Sequence, residues 1–197
     1  MTNDNTSTTP YSTTAPLITS VAATTSPSGR DVCDALRAEL AVNPGGILEM
    51  TAVTHGVTLQ AAITCLPTEM WRIVPGTCFI DALQDIADWG EVTTVVHTRD
   101  VIMEFEGAIP AGSTGRGFYN LQGDGGLSGH LRADRCGAIA FVRRPFMGTH
   151  TLSVQFLNTE GEAMFKVFVG RDPQRRLKAG QVARFDALEA RLIRDDD

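Results

Sequence analysis

The sequence predicts an α+β domain: an antiparallel sheet with helices before it and one helix after it. Three observations lead there. Up to Gly90 the apolar residues recur at helical spacing, and from Val92 to Val169 they recur every second residue. The last stretch returns to a single apolar stripe of Val182, Phe185, Leu188 and Leu192. Helices, then a run of strands, then a helix, is the order of an α+β fold and not of alternating βα units.

Each element has a local reason. Ser28-x-x-Asp31 is a helix start, and Val32, Leu36 and Leu40 then repeat at one turn until Asn43-Pro44-Gly45-Gly46 ends the run. Ile47 to Thr54 reads as a second helix closed by Gly56, Thr58 caps a third that runs to Leu66-Pro67, and Phe79, Leu83 and Ile86 mark a fourth closed by Gly90. Val92 to His97 and Val101 to Glu106 form a hairpin about Arg99-Asp100. A Gly-rich passage follows from Gly107 to Gly126, then strands at Leu127–Leu131 and Ala138–Val142. Leu152-Val154-Phe156 and Phe165-Val167-Val169 alternate around Asn158-Thr159-Glu160-Gly161 as a second hairpin, and Asp172-Pro173 opens the C-terminal helical region. Residues 30–197 read as one domain, mainly helical over 30–90, mainly strands over 91–170 and helical over 171–194. Residues 1–29, rich in Ser and Thr with Pro10, Pro16 and Pro27, read as a disordered tail.

Composition narrows the function. A net charge of -6 suits neither nucleic acid nor an anionic membrane, whose phosphates call for clustered Lys and Arg. Ile47 to Leu66 has the outline of a helix-turn-helix, but no Lys or Arg occurs between Arg37 and Arg72, so a helical cap on the sheet is the better reading. The four cysteines, Cys33, Cys65, Cys78 and Cys136, form no C-x-x-C pair and read as reduced, mostly buried thiols. No stretch has the ~18 apolar residues of a membrane span. No basic residue precedes Arg30, so no secretory signal is expected and the cytoplasm is the expected compartment.

Short motifs, weak singly but in order over most of the chain, carry a resemblance. They are Gly56-Val57-Thr58 with Leu66-Pro67, Trp89-Gly90-Glu91-Val92-Thr93-Thr94-Val95-Val96-His97-Thr98, Glu104-Phe105-Glu106-Gly107 and Pro110. Gly115-Arg116-Gly117-Phe118-Tyr119-Asn120-Leu121, Gly129-His130-Leu131 and Arg144-Pro145-Phe146-Met147-Gly148 follow, then Gly161 through Asp172. From about Gly45 to Phe185 the chain resembles the HutX/ChuX family of haem-utilisation carriers. The resemblance implies a fold similar to one repeat of the two-repeat haem-trafficking proteins of the HemS/ChuS kind. It also implies a homodimer, haem as cargo, and delivery to a haem-degrading partner of the HutZ/HugZ type.

Haem asks for an axial ligand, apolar surface for the macrocycle, and cations or hydroxyls for its propionates. Matched to the family, His97 and His130 are the candidate iron ligands; each also fits an ordinary hydrogen-bonded strand histidine. Tyr119, in Gly117-Phe118-Tyr119-Asn120, can ligate ferric iron if an arginine lowers its pKa, or can be a packed aromatic whose hydroxyl finds a backbone partner. Arg132 and Arg144, with Arg143 and Lys166, are the cations on or near strands. His150 could sit near a pocket mouth, and His55 reads as a helix-end residue. Met103, Met147 and Met164 read as core filling rather than sulfur ligands, and Arg171-Asp172 as a local ion pair. No hydrolase, P-loop, metalloprotease or dinucleotide motif occurs, and Glu104 and Glu106 share one strand face with nothing converging on them. The resemblance implies a non-enzymatic haem carrier. The alternatives are an oxygen- and reductant-dependent haem-degrading enzyme, or a binding module for another planar anionic ligand.

Overall fold

The computed structural model describes residues 29–123 and 126–194. The tail, with the Ser28 cap, lies outside the described residues save for Gly29, which opens the first helix. Three helices come first, α1 (Gly29–Val42), α2 (Leu48–His55) and α3 (Leu59–Thr64). The Thr58 hydroxyl accepts the Ala61 N–H at 3.2 Å to start α3, and Gly56, at φ 65°, ends α2 in the left-handed conformation that glycine takes without strain. Strand β1 (Trp71–Pro75) precedes α4 (Phe79–Ala87). Then come β2 (Glu91–His97), β3 (Ile102–Ala108), β4 (Gly112–Gly115), β5 (Phe118–Leu121), β6 (Gly129–Leu131), β7 (Cys136–Phe146), β8 (Thr149–Asn158) and β9 (Ala163–Phe168), and finally α5 (Ala179–Arg194).

Six strands form one antiparallel sheet in the order β1-β7-β8-β9-β2-β3, and β4-β5-β6 form a smaller one. Both expected hairpins are present: β2 pairs β3 from His97↔Ile102 to Glu91↔Ala108, and β8 pairs β9 from Ser153↔Phe168 to Leu157↔Ala163. The main differences from the expected elements lie in three places. β1 falls inside the stretch expected to be helical. The Gly-rich passage holds β4 and β5. The last helix begins at Ala179, not at Asp172-Pro173, because Arg171 and Leu177 pair as an isolated bridge and close a turn first.

The large sheet is apolar on both faces where β7 and β8 cross it. Ile139 and Phe141 point to one side, with Leu152, Val154, Phe156, Phe165 and Val167, and pack under α4 and α5. Ala138, Ala140 and Val142, with Leu157, point to the other side and pack under α1–α3. The period of two thus sorts consecutive β7 residues into separate cores. Phe79 lies at the middle of the first core, edge-on to Tyr119, Phe156 and Phe165. The second core uses Leu36, Leu40, Leu48, Leu59 and Ile63, which places the three short helices as a cap on the sheet.

Candidate functional site

The helical cap is too short to cover its whole side of the sheet, and what it leaves open is a groove over β9, β2 and β3. Register fixes which side chains line it. Glu106, Thr93, Phe168 and Ser153 form one row across β3, β2, β9 and β8, and Glu104, Val95, Lys166 and Gln155 form the next. Ile102 and His97 begin the row after that. The groove has two lobes of about 460 Å³ and about 110 Å³ that share Val95, Glu104, Phe146, Thr151 and Phe168. Val95, Phe146 and Phe168 make its floor apolar, while Glu104 and Glu106 stand on the β3 rim. Phe146 is aimed there by a two-residue turn, Met147-Gly148, with φ of 47° and 79°, which joins β7 to β8 at Phe146↔Thr149.

The smaller lobe gathers several buried or half-buried polar side chains against an apolar lining. Glu49, in the first turn of α2, reaches down to β9, where one of its carboxylate oxygens accepts a hydrogen bond from the Lys166 ammonium. The same oxygen lies 3.2 Å from His97 Nδ1. Burial pushes the Glu49 carboxyl up, but the Lys166 charge and hydrogen bond, with a backbone hydrogen bond and His97, together outweigh it, so the group sits below the ordinary carboxylate value. Burial pushes Lys166 below the ordinary lysine value, with Glu49 opposing and Arg144 adding to the shift. Arg144 donates from Nη1 to the carbonyls of Pro44, Gly46 and Pro145, which pins the α1–α2 connection to the sheet. Its own burial pushes it down to about 10. Gln155 donates to Ser153 Oγ at 3.1 Å, and its Oε1 is buried without a hydrogen-bond partner among the described residues.

The structure brings two of the candidate residues, His97 and Arg144, to this groove. His97 sits on the face shared with Thr93 and Val95, as its place in the alternation predicts. With Nδ1 turned to Glu49, Nε2 is the nitrogen suited to a metal. The other three candidates lie elsewhere. His130, on β6, is exposed and faces Asn120 Oδ1 at 2.6 Å. Arg132 is exposed and closes a two-bond pair with Asp134. Tyr119 is 1% exposed, and its hydroxyl accepts the Gly112 N–H at 3.1 Å, so it is the packed aromatic with a backbone partner.

Among the lesser candidates, His150 is exposed and its carbonyl accepts from Arg171 Nη2, while His55 pairs with Glu39 at 2.8 Å. Met103 and Met147 are 58% and 77% exposed rather than core filling; Met164 does pack against the core. Asp172 pairs with Arg176, not Arg171, whose guanidinium donates to the Arg175 and His150 carbonyls. Arg143 is held by Glu189 and Asp186 of α5. Cys65 and Cys136 are buried, Cys33 and Cys78 partly so, and all four are free thiols. Sequence reasoning missed Glu49, Lys178 and the floor residues Phe146 and Phe168. Glu49 is brought to Lys166 and His97 only by the fold, but Phe168 shares the alternation of Lys166 and could have been read from it.

Among the described residues no helix is long and apolar enough to cross a membrane. Comparison with known proteins identifies the arrangement. The family model for haem utilisation ChuX/HutX matches residues 72–188. The intracellular heme transport protein HutX of Vibrio cholerae is 35% identical over 161 residues, 81% of each chain. A crystal structure of a protein from Erwinia carotovora superposes with a TM-score of 0.77 at 46% identity, covering 80% of this chain and 98% of that one. The heme binding protein ChuX superposes with a TM-score of 0.74 at 42% identity, covering 80% and 99%. The heme degrading enzyme ChuS of Escherichia coli O157:H7 shares the fold alone, at 14% identity and a TM-score of 0.65. There this chain spans 47% of the larger protein, as one repeat of a two-repeat fold would.

Proposed function

The chain belongs to the ChuX/HutX haem-utilisation family, and on that premise we propose that it is an intracellular haem carrier. It takes haem as cargo in the groove, works as a homodimer, and passes the haem to a haem-degrading partner of the HutZ/HugZ type. The observation that carries this reading is the pairing of an apolar floor, Val95, Phe146 and Phe168, with His97 at one end. Such a floor accepts a planar macrocycle, and an imidazole whose Nδ1 faces a carboxylate leaves Nε2 to face iron.

A carrier must also release. Among the described residues the groove offers one histidine, and a single axial bond breaks more readily than a rigid pair. His130 is the second candidate ligand; being exposed on the smaller sheet, it is accessible to haem or to another protein chain. Homodimerisation is supported by β3, an edge strand whose hairpin exposes Val101, Ile102 and Met103 at 47%, 58% and 58%, a patch that a second copy would cover. Holo-protein incubated with ascorbate and oxygen should keep a steady Soret band, then lose it to apomyoglobin or to a haem-degrading partner on mixing. Bleaching with reductant and oxygen alone would replace the carrier reading with a haem-degrading one.

A further inference from the structure

We propose that Cys33 and Cys65 form an oxidant-responsive dithiol, which a peroxide converts to a disulfide that ties α1 to the end of α3. The groove and its cargo play no part in this reading. Cys33 lies in the second turn of α1, three and seven residues before Leu36 and Leu40, so all three face the same side of that helix. Cys65 ends α3 and is 3% exposed. It belongs to the same apolar core as Leu36 and Leu40, and Cys33 packs against that core. The Cys65 Sγ lies 3.8 Å from the Cys33 carbonyl oxygen, and the two thiols hydrogen-bond to each other. Both are free thiols. Two thiols 32 residues apart in sequence therefore meet at one contact between helices, which is the first geometric requirement of a disulfide.

The environments of the two thiols divide their roles. Cys33 is half-buried, so peroxide can reach it. Cys65 is buried, and burial with the neighbouring Cys33 thiol holds its own thiol above the ordinary cysteine value, Arg37 opposing. Cys33 is thus the thiol that is attacked first and Cys65 the one that resolves. In the first step the Cys33 sulfur, as thiolate, takes one peroxide oxygen. The O–O bond breaks, Cys33 becomes a sulfenic acid, and the other oxygen leaves as hydroxide and takes up the thiol proton as water. In the second step the Cys65 sulfur attacks the Cys33 sulfur. The S–O bond breaks, and the hydroxyl leaves with the Cys65 proton as a second water. Two thiols lose two electrons and two protons, and the peroxide becomes two waters. The ring so closed contains the rest of α1 and all of α2 and α3, so the bond staples the helical cap. In a reducing compartment such a pair rests as two thiols and closes only on oxidation. Of the other cysteines, Cys136 donates to the Ala138 carbonyl at 3.4 Å, and burial pushes its thiol up to about 11, so it reacts slowly.

The test treats the native full-length protein with a small molar excess of hydrogen peroxide, blocks the remaining thiols and digests it with trypsin. No Lys or Arg lies between Arg37 and Arg72, so Cys33 falls in peptide 31–37 and Cys65 in peptide 38–72, while Cys78 and Cys136 fall in 73–99 and 136–143. The expected product is 31–37 joined to 38–72, two hydrogens lighter than the separate pair and parted by dithiothreitol. The oxidised protein should melt roughly 5–10 °C above the reduced one, since the bond closes a 32-residue loop in the unfolded chain. Cys65→Ser should form no link and leave Cys33 as a sulfenic acid that dimedone captures, and absence of that adduct would overturn the order of attack. Cys33→Ser should show neither the link nor the thermal gain. The wild-type arm depends on no variant folding. A wild-type protein that keeps both thiols would overturn the proposal. So would a bond from either thiol to another cysteine or to a second chain, or a sulfinic acid at Cys33 in place of the bond. An oxidised form that melts no higher than the reduced one would overturn the staple.

Discussion

Glu49→Ala leaves the Lys166 ammonium in the small lobe without its partner. Lys166 is 7% exposed, Arg144 is near enough to push its pKa further down, and burial already acts in that direction. With Glu49 gone, no carboxylate among the described residues remains paired with Lys166 to oppose these two effects. Breaking a buried pair by removing one member costs about 3–5 kcal/mol. The Glu49 side chain is 18% exposed, which argues for the lower end, about 3 kcal/mol. At a urea m-value of about 2 kcal/mol/M, the unfolding midpoint falls by about 1.5 M. Adding Lys166→Met removes the uncompensated charge, so the double variant should regain at least half of that loss. Urea unfolding followed by circular dichroism at pH 7 measures all three proteins. A single-variant loss below about 0.5 kcal/mol, the level of an exposed pair, or strictly additive losses in the double variant, would refute the buried-pair reasoning.

Other expectations come from the same structure. Because Glu49 titrates below its ordinary value in the fold, the stability it confers is complete above pH 4.5 and is lost as pH falls through its folded pKa. Wild type should therefore lose more stability between pH 6 and pH 3 than Glu49→Gln/Lys166→Met, read from urea midpoints. Gln181, 5% exposed, accepts the Gly170 N–H at 2.7 Å and donates to the Trp89 and Glu91 carbonyls at 2.8 Å each. Gln181→Ala strands these buried groups and should cost about 2–4 kcal/mol, measurable by thermal or urea unfolding. Tyr119→Phe should cost about 1 kcal/mol of stability through the Gly112 hydrogen bond and leave the spectrum of bound haemin unchanged. Burial pushes the Cys136 thiol up to about 11, so its reaction with a disulfide reagent at pH 8 should be far slower in the folded protein than in urea.

The sheet was legible wherever one face or both are buried, because alternation over Val92–His97 and Leu152–Val169 has no other reading. β1 was not, because Trp71–Pro75 is short and lies between a Pro-bounded turn and α4, where the neighbouring period is helical. β4 and β5 hid in glycines whose purpose is local. Gly112 lies against the Tyr119 ring, where a Cβ would come within 2.3 Å, and Arg116-Gly117, with φ of 53° and 80°, makes the tight turn between the two strands. Of the site, His97 could be placed on the correct face from its spacing to Thr93 and Val95. Glu49 could not, since a lone Glu in a helix's first turn is explained by the helix dipole alone, and its partners lie 48 and 117 residues away. Arg171 was read beside Asp172 because they are neighbours in sequence, while the turn closed by the Arg171–Leu177 bridge gives Asp172 to Arg176.

The most direct test of the central claim is a haemin titration by absorbance on wild type and His97→Ala. The account predicts a saturable Soret shift in wild type, and in His97→Ala a displaced band with weaker binding, while circular dichroism shows both proteins equally folded. A wild-type protein that gives no saturable shift, or a His97→Ala variant with the wild-type spectrum and affinity, would contradict it.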